Sequence, residues 1–179
     1  MKTILQSLRI LLALTALTGF LYPLAITGLS HLAFPRTATG SLLKRGDQNI
    51  GSALLAQKTE SAKYFWSRPS AADFATVASG ASNLGPTSDA LKNAISERRK
   101  KFGDAAPDDL LTASGSGLDP HISPEAARQQ AGRVAKERKF PLAQIEALIK
   151  QQTEGPQLGI FGEPRVNVLA LNLALDAQR

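Results

Sequence analysis

The first part of the chain is apolar with almost no interruption. Between Arg9 and Arg36 there is no formal charge, and ILLALTALTGFLYPLAITGLSHLAF, Ile10 to Phe34, has the composition of a membrane span. As a helix it extends about 37 Å, against about 30 Å of bilayer hydrocarbon. A cleaved signal peptide has an apolar core of about 7 to 15 residues ending at a small-x-small site. This core is longer and AFPRTATG is a poor cleavage site, so the span is expected to be retained. Gly19 and Pro23 lie inside it. Spanning helices tolerate such residues where neighbouring helices satisfy the freed carbonyl, and small residues let a second backbone come close. Gly19 and Pro23 are therefore membrane-packing candidates, and Tyr22 at mid-span points to protein on one face.

Beyond Phe34 the pattern breaks into short runs. FPRTATGSLLKRGDQN, Phe34 to Asn49, is rich in turn residues and predicts a linker. KYFW, Lys63 to Trp66, predicts a short strand stopped by Arg68-Pro69, and DLLTAS, Asp109 to Ser114, a second. ASGASNLGPT, Ala78 to Thr87, is loop, with Gly80 and Gly85 free to take positive φ and Pro86 fixing the turn.

Three stretches carry helical signals. SDALKNAISERRKKFG opens on Ser88 as N-cap, spaces Leu91 and Ile95 four apart and closes on Gly103. SPEAARQQAGRVAKERK has Ser123 at the N-cap, Pro124 at N1, and Ala127, Ala131 and Val134 along one narrow face. PLAQIEALIKQQTEG places Pro141 at N1, buries Leu142, Ile145 and Leu148 or Ile149, and stops at Gly155-Pro156. The C-terminal EPRVNVLALNLALD, Glu163 to Asp176, alternates apolar positions with Asn167, Ala170 and Asn172, and predicts a strand that finishes as a helix. Strands and helices interleave without regular βαβ spacing. The expected organisation is a flank over 1–9, a transmembrane helix over 10–34, a linker over 35–49, and over 50–179 a compact α+β domain with a small sheet.

Charge and composition remove several classes of function. The net charge is +6, but the cations are spread along the chain. Only ERRKK, Glu97 to Lys101, gathers them, at a helix end where they complement the macrodipole; no nucleic-acid partner is expected. There is no cysteine, hence no disulfide scaffold and no thiolate chemistry. The cationic flanks of the span are nearly level: Lys2 and Arg9 against Arg36, Lys44 and Arg45. Long domains cross largely regardless of charge, and the soluble part is expected on the outer face.

The densest run of turn residues is TASGSGLDPHISPEAA, Thr112 to Ala127. Ser114 or Ser116 with Asp119 and His121 has the residue types of an acyl-transfer triad. Triad members normally come from separated segments, and Ser114 stands where the G-x-S-x-G elbow around Ser116 needs glycine, so a membrane-tethered hydrolase is the disfavoured alternative and no catalytic residue is assigned. Gly115 and Gly117 precede a helix and make Ser114, Gly115, Ser116 and Gly117 candidates for a phosphate cradle. No Gly-Lys-Ser/Thr follows, Pro120 replaces the third glycine of a dinucleotide fingerprint, and Ser123 already caps the helix. His121 with Asp119 and Glu125 makes an unspecific hard-ion set; the other histidine, His31, lies in the span, and no metal is expected. The remaining expectation is a rigid turn that loses little entropy on docking.

Several of these blocks occur together, in order, in one family. YFWSRPSA (Tyr64 to Ala71), ASGASNLGPT, DLLTASGSGLDPHISPEAA (Asp109 to Ala127), QAGRVA (Gln130 to Ala135) and FGEPRVNVLALNLALD (Phe161 to Asp176) resemble the C subunit of the Kdp potassium-transporting P-type ATPase over essentially the whole chain. Departures are small: Ala81 stands where the family usually has glycine, and Ser88 where asparagine is common. The resemblance implies a non-catalytic, single-pass subunit of a high-affinity potassium uptake complex in the cytoplasmic (inner) membrane. Its partners would be a channel-like potassium-translocating subunit, a P-type ATP-hydrolysing subunit, a small single-span subunit and membrane lipid. By the same resemblance it would have no cofactor of its own and would meet ATP through the hydrolysing subunit, whose ATP affinity such a subunit is described as raising as a catalytic chaperone. The alternative is direct nucleotide contact, for which an ABC-type signature offers only Ser79 and Gly80. The docking candidates are Arg68, Ser82, Asn83, Leu84, Gly85, Pro86, Thr87, Asp119, Pro120 and His121.

Overall fold

The computed structural model describes residues 2–178 and divides after Leu42 into two compact units. The first unit is dominated by one continuous helix, Lys2–Ala33, long and apolar enough to cross a membrane, with none of its apolar window buried. It consists of α1 (Lys2–Ala16), a π-helical turn (Leu17–Leu21) and α2 (Tyr22–Ala33). The widened turn sits where Pro23 has no amide to return to the preceding turn and its ring crowds that carbonyl. Thr18 and Thr27 donate their hydroxyls to the carbonyls of Leu14 (2.7 Å) and Pro23 (2.8 Å), a local way to satisfy backbone in an apolar setting. At Phe34 the backbone leaves helical geometry (φ −138°) because Pro35 follows.

The segment expected as linker already carries structure. It opens with a helical turn, α3 (Pro35–Ala38), in the first unit, and β1 (Leu42–Arg45) and β2 (Gln48–Ser52) form a two-stranded ribbon that turns at Gly46, φ +59°. The main sheet has three short antiparallel strands in the order β3 (His121–Ile122), β5 (Arg165–Asn167), β4 (Thr153–Glu154). Its register pairs Ile122 and Thr153 with opposite edges of Val166. Against it pack α6 (Pro124–Arg138), α7 (Leu142–Gln151) and α8 (Val168–Asp176), sharing one core built on Val134, Ile145, Ile149, Val166, Leu171 and Leu175. The alanine face of α6 is buried at Ala126, Ala127 and Ala131, so the helix lies close to its neighbours. The mixed α+β class with a small sheet is as expected.

Helix ends follow the sequence with three adjustments. Ser123 caps α6 by accepting from Ala126 N–H at 3.0 Å. Ser88 sits at the N-cap of α4 (Asp89–Phe102) but makes no side-chain cap bond; its own N–H donates to Gly85. Pro141 is the N-cap of α7 rather than N1, Leu142 is exposed, and the helix ends at Gln151 because the next residues are claimed by β4. Positive φ in the 78–87 loop falls on Asn83 (+55°), not on Gly80 or Gly85.

Two of the three strands expected in the soluble part are corrected. Asp108–Leu111 is a helical turn, α5, started by Pro107, and its adjacent buried residues Leu110 and Leu111 share one face, as alternation would forbid. Lys63–Trp66 forms no strand: Lys63 lies in a turn and Tyr64 in a bend, and side chains of α6 and α8 take the backbone hydrogen bonds of Phe65 and Trp66. Asn172 accepts from Phe65 N–H (2.8 Å) and donates to Phe65 C=O (3.0 Å). Gln130 does the same for Trp66 at 2.8 and 3.1 Å, and Arg133 donates to the carbonyls of Ala62 and Tyr64. Phe65 is fully buried beneath this clamp. Asn167 and Asn172, expected on the polar side, are buried for the same reason: Asn167 caps α8 through Ala170 and holds Ala53 C=O at 2.7 Å.

Candidate functional site

The loop from Thr112 to His121 is held at nearly every step. Ser114 N–H donates to Pro69 C=O (3.1 Å), Gly117 N–H to Ser114 C=O (3.2 Å), and Leu118 C=O accepts from Ala56 N–H (2.9 Å). Pro120 C=O accepts from Val168 N–H at 2.9 Å, tying the loop to the start of α8. Asp119 is its electrostatic centre: one oxygen accepts from His121 N–H (3.0 Å), the other from Arg68 (3.2 Å). Gly117 takes φ +70°, and a Cβ there would lie 2.8 Å from the Gly80 carbonyl oxygen. Two loops 37 positions apart thus meet backbone to backbone, which explains why glycine stands there.

This packing sorts the candidate residues. Arg68, Asp119 and His121 come together on one groove of about 520 Å³, with Asp108, Asp109, Glu125, Glu163 and Arg165 on its walls. Five carboxylates face two guanidinium groups, so the groove attracts positive charge. Burial lowers the His121 pKa from its ordinary value, helped by the Arg165 charge and opposed by Asp119 and Glu154. Arg68 Nε is buried without a hydrogen-bond partner. Pro120 lines a second hollow instead. Ser82, Asn83, Leu84, Gly85, Pro86 and Thr87 stay exposed and do not reach the groove.

The chemical alternatives fare poorly in this geometry. Ser114 is buried (3% exposed), the Ser116 hydroxyl accepts from Leu118 N–H at 3.1 Å, and the His121 ring lies 3.7 Å from Asp119. No bond among the described residues joins a serine hydroxyl to the imidazole that would have to activate it. Ser114, Gly115 and Ser116 do line a hollow of about 370 Å³, but its other walls are Leu54, Leu55, Leu118, Asp119 and Pro120. With a carboxylate as its one charged group, that lining suits a polyphosphate poorly. Gly80 meets Gly117, yet Ser79 and Gly80 bring no cation with them. Among the described residues no group of three or more His, Asp or Glu is placed to hold a metal ion.

Two features were missed from sequence. One is the Trp66 ring, with Lys101 Nζ 3.9 Å and the Arg133 guanidinium 3.8 Å from its centre; desolvation lowers the Arg133 pKa. The other is the tip of the β4–β5 hairpin, where Leu158, Ile160 and Phe161 are 88%, 79% and 64% exposed. The uncharged GPQLGIFG, Gly155 to Gly162, was its signal.

The chain thus combines a helix long and apolar enough to cross a membrane with a unit that carries an internally bonded loop layer and a charged groove. Comparison with known proteins gives the family. Residues 4–177 match the family described as KdpC, K+-transporting ATPase, c chain, and the chain belongs to it. Among its relatives is a potassium-transporting ATPase KdpC subunit from Polynucleobacter asymbioticus, 51% identical and aligned over 98% of this chain and 99% of its own. The subunit of the same name from Rhodospirillum rubrum is 52% identical over 98% and 96%, and that from Dechloromonas aromatica 47% over 99% and 98%.

Proposed function

We propose that this chain is the non-catalytic accessory subunit of an ATP-driven, high-affinity potassium uptake complex, which it assembles and stabilises. It sits in the cytoplasmic (inner) membrane as a single-pass protein, with 10–34 as the span, 35–49 as the connection and 50–179 on the outer face. Its partners are a channel-like potassium-translocating subunit, a P-type ATP-hydrolysing subunit and a small single-span subunit. Catalysis resides in the hydrolysing subunit, and any gain in that subunit's ATP affinity is transmitted through assembly, as expected of a catalytic chaperone. The observation that carries this is the loop layer around Asp119: the Ser116 hydroxyl and both Asp119 oxygens are engaged within the fold, which leaves a rigid charged surface and, among the described residues, no serine bonded to a histidine. Span and domain then make two linked contacts, whose combined strength exceeds either alone. Gly19 and Pro23 suit the first, by packing against other spans.

The test compares the full chain with a version ending at Leu42, each expressed with the other subunits. Loss of co-purification and of potassium uptake on removing the domain is expected. Both remaining intact would overturn the proposal. A reporter fused to the C-terminus and read on intact cells reports the side: a cytoplasmic signal would reopen direct contact with ATP.

A further inference from the structure

The hairpin tip between β4 and β5 is shaped at two separate costs. Leu158 has φ +54°, a left-handed conformation in which leucine is uncommon and asparagine or glycine is the ordinary choice. It is also the most exposed large apolar side chain of the three at the tip. The tip is not loose. Gln157 and Phe161 exchange both backbone bonds, at 2.8 and 2.9 Å, Gly159 N–H donates to Pro156 (3.1 Å), and the base is pinned by the pairing of Glu154 with Arg165. A tightly bonded turn that displays leucine, isoleucine and phenylalanine instead of burying them points outward, to a surface that covers it.

Its surroundings select the occupant. From Gly155 to Gly162 there is no charge and no Trp or Tyr, whereas segments that rest in a lipid interface use Lys, Arg, Trp and Tyr as anchors. Glu163, which has no ion-pair partner among the described residues, stands at the foot of the tip on the wall of the carboxylate-rich groove. Anionic lipid would be repelled there, and a second copy would set two such acidic walls against each other. We infer that the Gln157–Phe161 tip is a docking prong that seats in an apolar pocket rimmed by basic side chains on another subunit of the potassium-transporting ATPase. The inference rests on the accessory-subunit reading above and adds the element that makes the contact.

The chain has no cysteine, so Leu158→Cys gives it a single thiol, which is labelled with benzophenone on the purified full-length chain before assembly with the other subunits. Irradiation is expected to give an adduct with one other subunit, mapping to an apolar segment flanked by Lys or Arg. An adduct with lipid, with a second copy of this chain, or with no macromolecule overturns the proposal. In parallel, the full-length triple variant Leu158→Asn, Ile160→Ser, Phe161→Ser is compared with the chain ending at Leu42. Recovery of the other subunits is expected to fall tenfold or more in the triple variant, with its own unfolding curve unchanged. If the triple variant recovers them normally while the shortened chain does not, the prong is refuted and the accessory-subunit reading stands. If neither loses them, that reading falls and the prong with it. Should the triple variant unfold, the photoadduct decides alone.

Discussion

The Thr112–His121 loop and the Gly155–Pro164 tip are both tightly turned and contain glycine and proline, yet they dispose of their side chains in opposite ways. In the first, the constraint is spent inward: Ser114 and Leu118 are buried, Asp119 serves two donors, and Gly117 leaves room for the Gly80 backbone. In the second it is spent outward: the backbone bonds close on themselves and three large apolar groups face solvent. A dense run of turn residues therefore marks pre-ordered backbone without saying what the order serves. The burial of the side chains between the turns separates the two uses.

The contrast breaks most readily at Gly117. Gly117→Ala adds a Cβ against the Gly80 carbonyl in a left-handed conformation, and a loss of about 2–3 kcal/mol in denaturant unfolding of the full chain is expected. A cost below about 0.5 kcal/mol would mean that the two loops do not need to touch. Next comes Asp119→Ala, which leaves Arg68 and His121 N–H without their acceptor on a partly buried surface; about 1–2 kcal/mol is expected by the same measurement.

A smaller effect is expected from pH. The His121 pKa is lowered in the fold, chiefly by burial, so the unfolded chain takes up its proton first as pH falls. Its contribution is thus fully present above the ordinary histidine titration point of about 6.5 and is lost as pH drops below that, through the lowered folded value. In His121→Gln the unfolding free energy should be flatter below about pH 6.5 than in the parent. Equal slopes would remove His121 from the account. The smallest effect is expected at the tip, where Leu158→Asn, alone, should leave stability unchanged or raise it by up to about 1 kcal/mol as the strain is relieved. Clear destabilisation would mean that Leu158 packs within the fold, and the two regions would no longer differ.

The same distinction explains which parts of the site were readable. Arg68, Asp119 and His121 were marked by residue type and turn chemistry, and the fold gathers them on one groove. The 82–87 loop carried equally strong turn signals but stays apart, because turn chemistry is local and says nothing about what a turn faces. The tip was overlooked because a short apolar run without period resembles any buried segment.

Local physics settled the elements whose signal is contained in a few adjacent positions. The long uncharged run makes a helix fit for a bilayer. Ser123 and Pro124 start α6, Gly103 ends α4, and the alternation from Arg165 becomes β5 and then α8. Only the tertiary structure decided that Lys63–Trp66 is no strand, that Asn172 and Gln130 are buried, and that Gly80 meets Gly117. In each case the hydrogen-bond or steric partner lies tens of residues away. A backbone amide is satisfied equally well by a strand or by a side-chain amide, so its partner is chosen by which helix the core brings beside it.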